Sequence, residues 1–272
     1  MNIFEKLAAR AAQPPQDDAV AGYGTVSGVP AGIGSLGGAA DVKRTARTHT
    51  GQVPTDFVTP VAVDETQRRI VAMAASVLLR YPEEDFLSHL DVVQDQLDQL
   101  PMALATDFMG FIDAARTAGL RALQEHYVET FDQRRRCSLF LSYYAVGDTR
   151  QRGMAILSFS QQLESFGFQL AENELPDHLC VVLEALGLAE GEDHARAVEM
   201  LASYREGIEV LRAALSQQDS PYVRLIVAVC KALPEVDAET AQKYVDLIRT
   251  GPPAEMVGIA DLPFPTAQPD LV

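Results

Sequence analysis

The chain has 272 residues, 47% of them hydrophobic, enough to bury a core in one large domain or in a domain carrying tails. Its net charge of -16 argues against a nucleic-acid role, because so acidic a surface repels phosphate backbones. That acidity either attracts basic peptides at long range or simply keeps the protein soluble. Residues 1–60 carry five basic and five acidic side chains, whereas residues 61–272 hold 17 Lys/Arg against 33 Asp/Glu, so the whole excess sits on the latter.

Cys137, Cys180 and Cys230 are far apart and form no Cys-x-x-Cys pair, which argues against a disulfide framework and a zinc site. No apolar run reaches the roughly 18 residues of a membrane helix. Met1–Gln13 is interrupted by Glu5, Lys6 and Arg10 and lacks the apolar centre of a secretory signal, so a cytoplasmic location is expected.

Asn2–Ala12 can form a short amphipathic helix with Ile3, Phe4, Leu7 and Ala8 on one side, too short to be stable alone. Gln13–Pro60 is rich in Gly, Ala, Pro and Thr and is expected to be a disordered linker. Within it, Gly32-Ile33-Gly34-Ser35-Leu36-Gly37 matches a dinucleotide fingerprint in letters only. Pro30 precedes it and no apolar stripe follows, so the strand and helix that would place a phosphate are missing.

From Asp64 the pattern becomes helical. Ile70, Met73, Ala74, Val77 and Leu78 mark a first amphipathic helix ending near Arg80. Pro82, followed by Glu83, Glu84 and Asp85, predicts a second helix start, with Leu87, Leu90, Val93 (or Gln94) and Leu97 on its buried face. Pro101 opens a third through Leu104, Phe108, Phe111, Ile112 and Ala115, closed by Gly119; Leu120, Leu123, Tyr127 and Phe131 carry a fourth. Ser138–Tyr144 reads as a short helix, and Asp148 is placed to cap the next, which runs to Phe166 and stops at Gly167. Pro176 and Asp177 start another through Leu179, Leu183 and Leu186. A long helix is expected over about Glu192–Gln217, one more from Pro221, and a last over Asp237–Ile248. Strand periodicity never persists. The expectation is an all-α fold: an extension over 1–60, a single helical-bundle domain over 64–249, and a Pro-rich disordered tail over 250–272.

Tyr127–Leu186 carries the distinctive residues. Tyr127, Phe131, Leu139, Tyr143, Tyr144, Leu179 and Leu183 sit at helical spacing, which is ordinary core by default or, alternatively, one wall of a groove for a partner's amphipathic helix. Arg150 and Arg152 suit either an anionic ligand or the bracing of a turn against acids such as Glu129 or Asp132. The five histidines (His49, His89, His126, His178, His194) share no metal-ligand spacing, and no Ser or Cys lies in a nucleophile-elbow context. No metal site and no catalytic constellation is expected.

Several of these stretches together resemble a known family. Tyr127–Asp132, Ser138–Tyr143, Gly147-Asp148-Thr149-Arg150-Gln151-Arg152-Gly153 and Glu174-Leu175-Pro176-Asp177-His178-Leu179, with Glu184 beyond, are similar to the NarJ family of nitrate reductase molybdenum-cofactor assembly chaperones and to its TorD- and DmsD-like relatives. Leu78-Leu79-Arg80-Tyr81-Pro82 and Ser220-Pro221-Tyr222 extend the likeness, which covers about Asp64–Leu233. The resemblance implies an all-helical, non-enzymatic chaperone with no stably bound cofactor. Its implied partner is the N-terminal leader of the apo catalytic (alpha) subunit, free or in the apo alpha-beta complex. Its implied role is to keep that subunit open for molybdopterin-guanine-dinucleotide insertion and to delay membrane docking, without joining the final enzyme. A related sulfoxide or chlorate reductase as client, or a helical adaptor subunit, are the alternatives. Tyr144-Ala145-Val146 stands where many relatives show histidine, so no histidine role is carried over there, and residues 1–60 have no counterpart in the pattern.

Overall fold

The computed structural model describes residues 57–147, 151–170 and 174–235. Among them lie ten α-helices and no strand beyond one isolated bridge. The helices are α1 (Glu65–Leu78), α2 (Phe86–Gln94), α3 (Met102–Ala118), α4 (Leu120–Tyr127), α5 (Leu141–Val146), α6 (Gln151–Ser165), α7 (Leu179–Leu188), α8 (Gly191–Ser203), α9 (Arg205–Ser216) and α10 (Val223–Ala232). The expected 32–37, 2–12 and 237–248 segments fall outside the described residues.

Helix α1 is the spine. A capping box starts it: the Gln67 N–H donates to Asp64 Oδ1 (2.8 Å) while the Asp64 N–H donates to Gln67 Oε1 (3.2 Å). Every residue from Ile70 to Leu78 is buried, because α1 is covered on all sides by α2, α7 and α10. Its closest partner is α7, which approaches so tightly that a Cβ on Gly187 would lie 3.1 Å from the Met73 backbone nitrogen. The buried Ser76 hydroxyl donates across this contact to the Cys180 carbonyl (2.8 Å). On the other side, α10 packs against α1, α3 and α9, and α8 packs beside α7.

The third helix matches its pattern: Leu104, Phe108, Phe111, Ile112 and Ala115 are all buried, and Gly119, at φ 77°, turns the chain into α4. Other elements differ from the sequence expectation. Pro82 does not open α2; residues 83–85 form a turn and the helix begins at Phe86. Phe86 is therefore buried and Leu87 is 47% exposed. The fourth helix changes pitch at Val128–Asp132, a single π-helical turn. The helix expected over 138–144 begins only at Leu141, after a short 3₁₀ turn at Arg135–Cys137.

The long helix expected over 192–217 is two helices, α8 and α9, hinged at Tyr204. No Pro marks that break, and the nearest glycine, Gly207, is itself helical. Tertiary contacts impose it: the Tyr204 ring packs on Phe159 (5.1 Å between centroids), and Gly207 sits against Tyr144.

Residues 57–63, the first of them inside the stretch expected to be a linker, pack onto the domain. Glu209, fully buried, accepts the Val58 N–H (2.8 Å) and pairs with the Arg212 guanidinium; Arg205 binds the carbonyls of Leu233 (3.0 Å) and Val58. The Val61 N–H donates to the Lys231 carbonyl (2.7 Å). A buried carboxylate costs several kcal/mol unless paired, so this network pins both ends of the described domain together.

Candidate functional site

Two clusters gather the residues singled out in the sequence. The first is aromatic. Tyr81, 45% exposed in the α1–α2 turn, meets Tyr127 edge-on with centroids 5.5 Å apart; Tyr127 contacts Phe131 (4.7 Å) and Tyr222 (5.8 Å), and Phe131 also contacts Tyr222 (5.0 Å). Such edge-on and tilted pairs add about 0.5–1.5 kcal/mol each beyond burial. The Tyr127 hydroxyl donates to the Leu79 carbonyl (3.2 Å), and burial pushes its pKa up, so it stays a neutral phenol. Tyr222, fully buried at the centre, also touches Phe111 and stacks on His126, whose Nε2 lies 2.8 Å from Ser220 Oγ. The row therefore runs from a core anchor at Tyr222 to a solvent-facing end at Tyr81.

The second cluster is the Leu175–Leu179 turn. The Leu141 N–H donates to the Asp177 carbonyl and the Leu179 N–H to the Leu139 carbonyl (2.8 Å each), forming an antiparallel bridge between Phe140 and His178. The fully buried Asp177 carboxylate accepts the Ser142 hydroxyl through Oδ2, while its Oδ1 has no partner among the described residues. Burial raises its pKa; the Ser142 hydrogen bond and the charge of Arg152 oppose that. The guanidinium of Arg152 lies 4.9 Å from the Phe140 ring centroid. Its charge thus bears on Asp177.

His178, not Pro176 or Asp177, caps α7: its Nδ1 accepts the Cys180 N–H (3.2 Å). Burial, and then the positive charge of Arg80, lower its pKa to about 4, so the ring is neutral at physiological pH. Arg80 clamps the turn from outside, reaching Glu174 (2.9 Å) and Glu184 (2.6 Å) with one guanidinium. The two exposed apolar residues flanking that clamp are Tyr81 and Leu175, the latter 42% exposed.

The remaining positions divide as follows. Leu139, Tyr144, Leu179 and Leu183, like Tyr127, are buried in the continuous core; Phe131 and Tyr143 are half-buried. Leu183 faces Val71, Ala72, Leu201 and Val229 around a small apolar void. The Tyr144 hydroxyl donates to the Ser138 carbonyl (2.8 Å), Tyr143 packs on the Tyr144 ring, and Ser138 Oγ accepts the Phe140 N–H (3.2 Å). Gly147 closes α5 at φ 66°. Asp132 and Gly153 are exposed and Pro176 is buried; Asp148 and Arg150 lie outside the described residues. Sequence reasoning missed the roles of Arg80, Tyr81, Tyr222 and Glu209. The signal for the first two was present: a charged residue beside a tyrosine just beyond the apolar second half of a helix.

Among the described residues no group of three or more His, Cys, Asp or Glu could hold a metal ion, and no helix is long and apolar enough to cross a membrane. Burial lifts the Cys180 thiol to about 12, leaving it unreactive.

A family model described as nitrate reductase delta subunit matches residues 95–228. The probable nitrate reductase molybdenum cofactor assembly chaperone NarJ of Bacillus subtilis is 30% identical over 175 residues, covering 64% of this chain and 94% of that protein. NarJ of Escherichia coli K12, the nitrate reductase molybdenum cofactor assembly chaperone, is 32% identical over 189 residues, 68% of this chain and 79% of its own length. The chain belongs to the NarJ family. The nitrate reductase-like protein NarX of Mycobacterium tuberculosis is 35% identical over 170 residues, but the match spans only 24% of that longer protein. The NarJ-type likeness therefore concerns the helical domain, and the residues matched by the family model include Tyr127, Phe131, Tyr222 and the Leu175–Leu179 turn.

Proposed function

We propose that the protein is a NarJ-type chaperone that binds the N-terminal leader of the apo catalytic subunit of a respiratory nitrate reductase. It holds that subunit competent for molybdopterin-guanine-dinucleotide insertion, acts in the cytoplasm before membrane docking, and does not stay in the finished enzyme. The observation that carries this reading is the alignment with two named assembly chaperones across most of their lengths.

The geometry supports a place for the leader. Tyr81 and Leu175 are exposed apolar side chains on either flank of the Arg80–Glu174 ion pair, and Leu87 is exposed on the adjoining helix. Between Tyr81 and Leu100 there are six acidic residues and no Lys or Arg. A basic amphipathic helix would set apolar side chains on Tyr81 and its cations against those acids. The buried members of the original candidate set hold this surface in shape rather than meeting the leader.

Calorimetric titration with a synthetic peptide of the catalytic subunit's N-terminus tests the proposal. Micromolar or tighter, near-stoichiometric binding is expected, weakened at least tenfold by Tyr81→Ala at a temperature where both proteins are fully folded. No binding at low salt by the parent protein would overturn the leader assignment; binding indifferent to Tyr81→Ala would overturn the site.

A further inference from the structure

We infer that this chain carries its own competitor for that surface: residues 2–12 dock intramolecularly on the face formed by Tyr81 and Leu87 and are displaced by the client. The inference rests on the leader-binding reading above and adds a regulatory device to it.

The face is unpartnered and chemically one-sided. Tyr81 and Leu87 are 45% and 47% exposed, and Tyr81 is backed by the buried Tyr127 ring, so it offers a rigid apolar platform. Glu83 and Glu84, between them in sequence, are exposed and make no ion pair among the described residues; Asp91 is exposed and pairs only with Arg116 (2.6 Å). An occupant should therefore bring two or three apolar side chains on one helix stripe and positive charge on the flank.

Residues 2–12 have that pattern. Ile3, Phe4, Leu7 and Ala8 recur at helical spacing, Lys6 and Arg10 fall on the other side, and Glu5 is the one acid. The stripe is too short to hold a helix in water without a surface to cover it. Reach is no obstacle. Forty-four residues, 13–56, separate the segment from Phe57, a contour of about 150 Å at roughly 3.4 Å per residue, whereas a domain of this size is about 40 Å across.

Tethering supplies the affinity. At an effective concentration of about 1 mM, a segment with an intrinsic dissociation constant of about 0.3 mM occupies the face roughly three-quarters of the time and weakens an outside ligand about fourfold. A client leader that binds in the micromolar range still displaces it; weaker amphipathic segments do not. The device thus sets a threshold against non-clients without any change in the domain's fold.

The test compares the full chain with its Phe4→Asp/Leu7→Asp variant, both titrated with the leader peptide, and adds a spin label at Asn2→Cys read by NMR on the amides of residues 81–91. The native cysteines Cys137, Cys180 and Cys230 are buried, so labelling is directed to the introduced one. The expected result is a threefold or greater tightening of leader affinity in the double variant, with label-dependent broadening at Tyr81–Leu87 that the double substitution abolishes. Equal leader affinities with no broadening would overturn self-docking and leave the chaperone reading standing. Broadening at Tyr81–Leu87 with no leader binding by either protein would do the reverse. Broadening confined to another exposed apolar patch, such as Met154 and Leu157 on α6, would overturn the assignment to this face.

Discussion

Leu183→Ala separates core from groove. Leu183 is 1% exposed, and its neighbours Val71, Ala72, Leu201 and Val229 come from α1, α8 and α10, three helices that cannot all move inward when the side chain is shortened. Removing three carbons forfeits about 2.4 kcal/mol of transfer free energy at roughly 0.8 kcal/mol per methylene. A residual cavity adds about 24 cal/mol per Å³, and with Leu183 held between three packed helices little of the new space will collapse. The expected cost is about 3–5 kcal/mol, toward the upper end of the range for buried leucines. For a domain of this size that lowers the melting temperature by roughly 6–20 °C. Thermal unfolding followed by circular dichroism measures it, alongside leader titration at a temperature where the variant is fully folded. An unchanged melting temperature together with a tenfold loss of leader affinity would show that Leu183 lines the groove, and the core placement would be wrong.

Two further substitutions probe the frame. Gly207→Ala would place a methyl group 2.7 Å from Tyr144 Cβ, an atom next to the backbone that cannot swing away, so a loss of about 1–3 kcal/mol is expected in chemical denaturation; an unaffected midpoint would refute the tight α5–α9 contact. Asp177→Asn concerns pH. Burial holds the Asp177 carboxyl above the usual range, so as pH rises the unfolded chain gives up this proton first, at about pH 4, and the group's contribution to stability falls until the folded pKa is passed. His178 acts oppositely: its folded pKa of about 4 means its contribution is complete above about pH 6.5 and is lost as pH falls toward 4. The difference between Asp177→Asn and the parent cancels the histidine. It should shift in favour of the variant as pH rises from about 4, and a difference flat from pH 3.5 to 7 would sink the argument.

Where local chemistry decides a structure, the sequence was a good guide. Helix α3 could be read residue by residue because its five apolar positions lie on one face and a left-handed glycine ends it. Helix α7 was also readable as core, and more firmly than its use as a groove wall suggested. Its ten residues LCVVLEALGL contain one charge, Glu184, and a helix without a polar face has no side to show solvent. The break at Tyr204 was not legible, since no proline interrupts residues 192–217 and a lone glycine such as Gly207 is tolerated inside a helix; the contact of Gly207 with Tyr144 comes from a segment some sixty residues earlier. The delayed start of α2 has the same origin. Pro82 and its acids satisfy the rules for a first turn, but the Pro82 carbonyl is taken by Gln124 of the neighbouring α4 (2.8 Å).

Several of the residues in the family-marking stretches act as fasteners of one turn. Ser142 holds Asp177, His178 caps α7, and Arg80 joins Glu174 to Glu184, so together they fix one turn against α5 and α1. Two exposed apolar side chains are their immediate neighbours in sequence, Tyr81 beside Arg80 and Leu175 beside Glu174. It follows that a loss of leader affinity in Arg80→Ala or Asp177→Ala would not identify either residue as a contact, because each can act by releasing the turn that presents its neighbour. Only a substitution at an exposed position can report on contact itself: Tyr81→Ala gives up one edge-on contact with Tyr127, about 0.5–1.5 kcal/mol, and leaves the clamp and the buried turn in place.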